Sequence, residues 1–180
     1  MILIEDSRQQ IGKHKAKLEY FKQQGIKVIR SKLYVGDFSR LENQSISIDT
    51  KKDIVEIAGN ICGSQHTRFR EECIKAKDCN IKLIILIEEP YTLETLKYWK
   101  SPTYKYGKKK GKPHTHVSGS VLAKAMVTMQ EKYGVKFEFT TKEDCGKKII
   151  DLLTWWGYFR LGDLNNERNM ETLWWGLPYK

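Results

Sequence analysis

Two aspartates and a lysine carry the chemistry this sequence most clearly offers. Asp37 follows Gly36 just after one short apolar stretch, residues 33–35, and Asp49 closes another, residues 45–49. Lys51 stands two residues past Asp49. If both stretches are strands, joined by a polar turn around Glu42, Asn43 and Gln44, a hairpin brings both carboxylates to one end of a sheet. Side chains two apart on a strand share a face, so Lys51 comes to lie beside Asp49. Phosphodiester hydrolysis needs such parts. Mg²⁺ or Mn²⁺ takes hard oxygen ligands, keeps several waters and completes its shell with substrate phosphate, so one or two carboxylates suffice. The metal acidifies a bound water and polarises the phosphoryl oxygen. A lysine can orient that water and offset the charge that builds at phosphorus. The backbone carbonyl of Thr50 is a further candidate ligand. The same acid-x-Lys spacing also arises in an ordinary salt bridge at a strand end.

The elements that must position these residues follow from periodicity. Residues 1–5 read as a first strand. A helix follows, marked by Ile11, Leu18 and Phe21 and stopped at Gly25. Residues 26–30 alternate as a strand. Asp53 with Glu56 three residues on makes a capping pair for a helix over 54–61. A charged helix over 67–79 leads into residues 81–87, almost all apolar, the pattern of a strand covered on both faces. Residues 97–113 have loop composition. Val117, Val121, Ala125, Met129 and Tyr133 then recur every fourth position, the stripe of an amphipathic helix. A strand over 135–140 precedes a Thr141–Asp144 capping pair and a helix carrying Ile149, Ile150, Leu153 and Trp156. Helices alternating with strands around a meander argue for an α/β protein with a mixed sheet flanked by helices.

Composition narrows the partners. The 180 residues fit one domain with a small appendage, and a 40% hydrophobic fraction supports a buried core. A net charge of +10 points to polyanions, nucleic acid before anionic membrane. No apolar run approaches the roughly 20 residues that span a bilayer. The start turns acidic at Glu5 and Asp6, unlike a signal peptide, so a cytoplasmic protein is expected. Cys62, Cys73, Cys79 and Cys145 form no C-x-x-C pair, which favours reduced, mostly buried thiols over structural zinc. His14 and His66 read as surface residues.

The ordered motifs together resemble one family. Asp6-Ser7-Arg8 follows the first strand. Gly36-Asp37 comes next, then Asp49-Thr50-Lys51 with Asp53 and Glu56 close behind. The run Thr67-Arg68-Phe69-Arg70-Glu71-Glu72 leads to an apolar strand that ends in Glu88. From about residue 2 to residue 153 this order is similar to the XPF-type nuclease domain, the Glu-Arg-Lys branch of the restriction-endonuclease-like PD-(D/E)xK superfamily. In this chain Asp49 stands for the family's Glu and Thr50 for its Arg. Val55 falls where the next acid is expected, with Glu56 one position late. Gln9 stands where a Glu often follows Asp-x-Arg. The resemblance implies a restriction-endonuclease-like fold over 1–153 and a metal-dependent DNA endonuclease. Asp37, Asp49 and Thr50 would hold Mg²⁺ or Mn²⁺, Lys51 would act on the water, and Asp6 would assist. It also implies branched substrates (flaps, forks or Holliday junctions), a homodimer, no membrane partner, and association with the nucleoid if the chain is prokaryotic or viral. Asp53 and Glu56 are alternatively plain helix caps. Arg8 either contacts DNA or pairs with an acid of the site; Arg68 is a further DNA contact.

Residues 97–112 carry Lys97, Lys100, Lys105, Lys108, Lys109, Lys110 and Lys112 without one acid, interleaved with Tyr98, Trp99, Tyr104 and Tyr106. Lysines bind phosphates by counterion release and aromatic rings stack on unpaired bases. Gly107 and Gly111 suggest a loop that orders on DNA, and His114 behind it suggests a phosphate contact. A solvated basic loop is the alternative. Residues 154–180 hold Trp155, Trp156, Tyr158, Phe159, Leu161, Leu173, Trp174 and Trp175, a density expected of packing on the core or on a dimer partner. No room remains there for a helix-hairpin-helix module. Two rival readings stay open: a DNA-binding protein that keeps the fold without cutting, and a sequence-specific restriction-type nuclease.

Overall fold

The computed structural model describes residues 1–162, with side chains through residue 154. Six strands form one mixed sheet: β1 (Ile2–Asp6), β2 (Lys27–Ser31), β3 (Phe38–Arg40), β4 (Ile46–Lys51), β5 (Lys82–Ile87) and β6 (Lys136–Phe139), in the order β2-β1-β3-β4-β5-β6. The β1–β3 and β3–β4 pairs are antiparallel, and the other three are parallel. The helices are α1 (Lys15–Gln23), α2 (Ile54–Cys62), α3 (His66–Asp78), α4 (Gly119–Tyr133) and α5 (Cys145–Gly162).

The middle of the sheet shows why the layers form. In β5, Leu83, Ile85 and Ile87 enter a core beneath α2, α3 and α4, while Ile84 and Leu86 enter a second core with Phe21 of α1 and Ile149 of α5. All five are essentially inaccessible to water. Period-two alternation of apolar side chains on both faces requires helices on both faces. Each such side chain contributes about 1.5–3 kcal/mol relative to leaving it exposed. The expected mixed sheet flanked by helices is therefore present.

The caps are where the sequence places them. Asp53 accepts a hydrogen bond from Glu56 N at 2.7 Å, and Glu56 accepts one from Lys52 N at 3.0 Å. Thr141 accepts from Asp144 N at 3.1 Å and donates to its carboxylate at 2.9 Å, ahead of α5.

Four local expectations are corrected. Residues 33–35 form no strand: Leu33 and Val35 are buried in a turn, and the strand comes later, at β3. The short apolar run serves the core rather than the ladder. Ile11 is 85% exposed and precedes α1, which starts only at Lys15 after turns near Gly12. In α4 the buried face is Gly119, Leu122, Met126 and Met129, so the stripe is rotated from the expected one and Val121 is 54% exposed. Gly119 must face inward because a Cβ there would run into the Leu96 carbonyl. The cysteines divide evenly, Cys73 and Cys145 buried, Cys62 and Cys79 exposed, all four free. The expected packing of residues 155–180, with its tryptophans, lies outside the described side chains.

Candidate active site

Asp37 is built into the sheet by its backbone. Its N–H donates to Ile48 O at 2.7 Å, and its carbonyl accepts from Asp6 N at 2.8 Å. It thus precedes β3 rather than following an earlier strand. The antiparallel register Phe38↔Ile48 still sets it opposite Asp49. The turn that delivers it needs Gly36. This residue has φ +76°, and a Cβ would collide with Ser47 Oγ while sitting 3.0 Å from Ile48 O. Gly36 N is held by Glu72 of α3 at 3.0 Å.

Alternation sets Asp49 and Lys51 on one face of β4 and the Thr50 side chain on the other, and Asp37 interacts with both sets. Asp37, Asp49, Thr50 and Lys51 are all at most 6% exposed. Lys51 Nζ lies 2.6 Å from Asp49 Oδ2. Thr50 donates to Asp37 Oδ2 twice, from its hydroxyl at 2.6 Å and its N–H at 3.0 Å. Gln9 Nε2 donates to the other Asp37 oxygen. Burial pushes both carboxyls above the usual range, Asp49 to about 6, and the Asp37 charge pushes Asp49 further the same way. Burial works against the Lys51 cation, but the Asp49 charge wins and its pKa is raised. Lys51 is therefore a fixed positive charge and no base near neutrality.

A divalent cation fits this donor set. Two buried carboxylates repel each other, and Asp49 Oδ2 has no hydrogen bond of good geometry beyond its close ion pair with Lys51. A cation would relieve both conditions. Among the described residues no cluster of three His, Cys, Asp or Glu side chains closes around an ion. The set suits an ion that keeps waters and takes substrate oxygens, as Mg²⁺ does, and not one enclosed by protein.

Behind this centre lies a histidine that sequence reasoning placed on the surface. His14 is 2% exposed. Its Nδ1 donates to Glu5 at 3.1 Å, and Nε2 faces Thr50 Oγ1 at 3.4 Å and Asp37 Oδ2 at 3.7 Å. Burial, aided by the nearby Lys17 charge, lowers its pKa to about 4, so it is neutral at pH 7. Lys17 itself pairs with Glu88 at 2.6 Å, just past β5, with both side chains largely buried. Glu88 N in turn donates to Lys51 O at 2.8 Å. No local signal marks His14 or Lys17: His14 meets Glu5, Asp37 and Thr50, 9, 23 and 36 positions away, and Lys17 meets Glu88, 71 positions away.

The other expected site residues are placed as follows. Asp6 is buried but turned to Arg8, at 2.8 Å from Nε, and to Leu33 N at 3.2 Å. Arg8 is half exposed and also donates to Leu33 O. Arg68 is exposed on α3, one residue before buried Phe69. Asp53 and Glu56 act as caps. Residues 103–113 form a tethered arm. Thr103 bridges Pro113, and Tyr104 N donates to Lys112 O at 2.9 Å. Tyr104 stacks on His114 with centroids 4.0 Å apart. Gly107 and Gly111 supply positive-φ turns here. Lys105, Lys108, Lys109, Lys110 and Lys112 all face solvent, as does Tyr106.

Fold and site define a restriction-endonuclease-like α/β/α domain with paired carboxylates and a lysine at one end of its sheet. A family model for the ERCC4 domain matches residues 5–152. The chain belongs to the ERCC4 domain family, a family of DNA nuclease domains. Solved structures agree on the fold. The chain is similar to XPF from Aeropyrum pernix, with a TM-score of 0.59 at 18% identity over 97% of this chain and 70% of that one. It is also similar to the same protein in complex with DNA, with a TM-score of 0.58 at 20% identity over 91% of this chain and 68% of that one. No curated protein matches the sequence.

Proposed function

We propose that this chain is a divalent-metal-dependent DNA endonuclease that cuts branched DNA. The observation that carries the reading is the buried Asp37–Asp49 pair, with Lys51 held at 2.6 Å from Asp49. Asp37 and Asp49, with the Thr50 carbonyl, would hold Mg²⁺ or Mn²⁺. When bound, the metal supplies an acidified water and polarises the scissile phosphate. The chain's own residues do the rest. Thr50 and Gln9 fix the Asp37 carboxylate by three hydrogen bonds. Lys51, kept protonated, orients the attacking oxygen and opposes the negative charge that develops. Asp6 contributes by fixing the turn at Leu33 through its carboxylate, with Arg8 as its partner.

The arm carrying Lys105, Lys108, Lys109, Lys110 and Lys112 would hold phosphates, and its exposed Tyr106 offers a face to an unpaired base, which suits a junction or flap. Arg8 and the exposed Arg68 would add cationic contacts to DNA. A second copy of the chain would extend this surface across both arms of a branch. Among the described residues no helix is long and apolar enough to cross a membrane, and the reading places action wherever the DNA is, in cytoplasm or nucleoid.

The test is to incubate the protein with labelled duplex, flap, fork and four-way junction DNA in Mg²⁺, Mn²⁺ or EDTA. Metal-dependent cutting of a branched substrate above duplex is expected. Binding without cutting in any metal would favour the non-catalytic alternative, and cutting at one sequence in plain duplex would favour a restriction-type enzyme.

A further inference from the structure

An open cleft of about 480 Å³ beside the metal-binding carboxylates is lined by Lys13, Lys52, Asp53, Val55, Glu56 and His114. The lining joins three separate parts of the chain: the turn before α1, the start of α2 and the root of the basic arm. We propose that this cleft seats the backbone of the scissile DNA strand, with Lys13 and Lys52 as its phosphate contacts and Gln9 as the residue that positions Lys13. The inference rests on the nuclease reading and specifies how that site takes its substrate.

The geometry assigns the roles. Lys13 Nζ donates to Gln9 Oε1 at 2.9 Å, and the same amide donates through Nε2 to Asp37. One neutral side chain therefore holds an exposed ammonium beside a metal-binding carboxylate without neutralising either. A phosphate that bridges the metal side and Lys13 would satisfy both.

The acids in the cleft hold these lysines weakly. Asp53 and Glu56 spend carboxylate oxygens on backbone N–H groups, Asp53 on Glu56 N and Glu56 on Lys52 N. Only a loose pair at 3.7 Å joins Lys52 to Asp53, and Lys52 is 76% exposed. Ile54 N is taken by Glu89 at 2.8 Å. With these amides at the start of α2 already bonded to carboxylates, the side chains remain to bind an anion. His114, stacked on Tyr104, ties the cleft to the arm, and Lys13, bonded through Gln9 to Asp37, ties it to the carboxylates.

The test uses the full chain and a labelled flap DNA, with binding measured by anisotropy in EDTA across a salt series. Lys13→Ala and Lys52→Ala are each expected to weaken binding several-fold and to lower the slope of log affinity against log salt by about 0.7–0.9, one phosphate contact each. Gln9→Glu keeps Lys13 but gives it a permanent partner, so it should weaken binding as Lys13→Ala does. Lys22→Ala, on the last turn of α1 and away from the cleft, should leave the slope unchanged. Unchanged slopes for Lys13→Ala and Lys52→Ala, or an equal loss for Lys22→Ala, would overturn the cleft assignment. Metal-dependent cutting by the wild type would still stand in that case. Conversely, the slopes can be lost as expected in a protein that never cuts, which would sink the nuclease reading alone.

Discussion

Asp49 and His14 sit on opposite sides of one titration window. Asp49 has its pKa raised from 3.8 to about 6, so the native state holds the extra proton between those values and gains stability as pH falls through 6. His14 has its pKa lowered from 6.5 to about 4, so the unfolded chain takes the extra proton and native stability is lost as pH falls from 6.5 towards 4. The two effects oppose each other in nearly the same range. Asp37 and Glu72, also raised by burial, add to the Asp49 side, so the metal-free protein should hold its melting temperature better than Asp49→Asn as pH falls from 6.5 to 4. Asp49→Asn should uncover the His14 slope and melt lower as pH falls. Thermal melts of both proteins in EDTA over that range check this. Parallel profiles for the two proteins would mean that Asp49 is not held in the buried pair. Metal affinity should behave otherwise, falling as Asp49 takes its proton below about pH 6. At this scale the sequence showed Asp37, Asp49 and Lys51 but not the contacts of Glu5, His14, Lys17 and Glu88. The first three share a hairpin and obey strand alternation. The others meet only because α1 packs back over the sheet, a contact between residues far apart in the chain that leaves no periodic trace.

Elements were legible where a local rule decides them. The capping pairs Asp53–Glu56 and Thr141–Asp144 bond as their spacing requires. The doubly covered β5 shows in its composition. The rule failed where tertiary packing overrode local pattern. Residues 33–35 are apolar because Leu33 and Val35 fill the core under a turn, and β3 contains only Phe38, Ser39 and Arg40, too short and mixed to announce itself. In α4 the stripe is set by the close approach of Gly119 to the Leu96 carbonyl rather than by valine spacing. The turn before β3 offers a direct test of how Asp37 is delivered. Gly36→Ala adds a Cβ into Ser47 Oγ at positive φ, so it should destabilise the fold by at least about 1–3 kcal/mol. Denaturant melts measure this; a neutral substitution would show that the turn can relax without Gly36. Metal affinity should fall together with stability, since the same turn sets the Asp37 carboxylate.

For the molecule as a whole, charge and topology point the same way. Residues 97–112 carry seven lysines and no acid, beside a net charge of +10 for the chain. The +10 charge was plain in the sequence, but its geometry was not. The basic segment read as a loop that orders on DNA, whereas Tyr104 stacked on His114 and the Thr103–Pro113 bridge already tether it. Charge reversal of Lys108, Lys109 and Lys110 to Glu should weaken DNA binding by more than tenfold and lower its salt slope by about 2–3. Unchanged binding would make the arm a solvated ornament of the fold.

The central claim is that Asp37, Asp49 and Lys51 form a cutting centre. It is tested most directly by the single-turnover cleavage rate of Asp49→Asn against wild type, on the best-cut branched substrate in saturating Mg²⁺, with DNA affinity measured in parallel in EDTA. The account predicts a loss of at least about 100-fold in rate, the scale of removing one charge-stabilising group, with DNA affinity retained. Equal cutting by the variant, or no metal-dependent cutting by either protein, would contradict it.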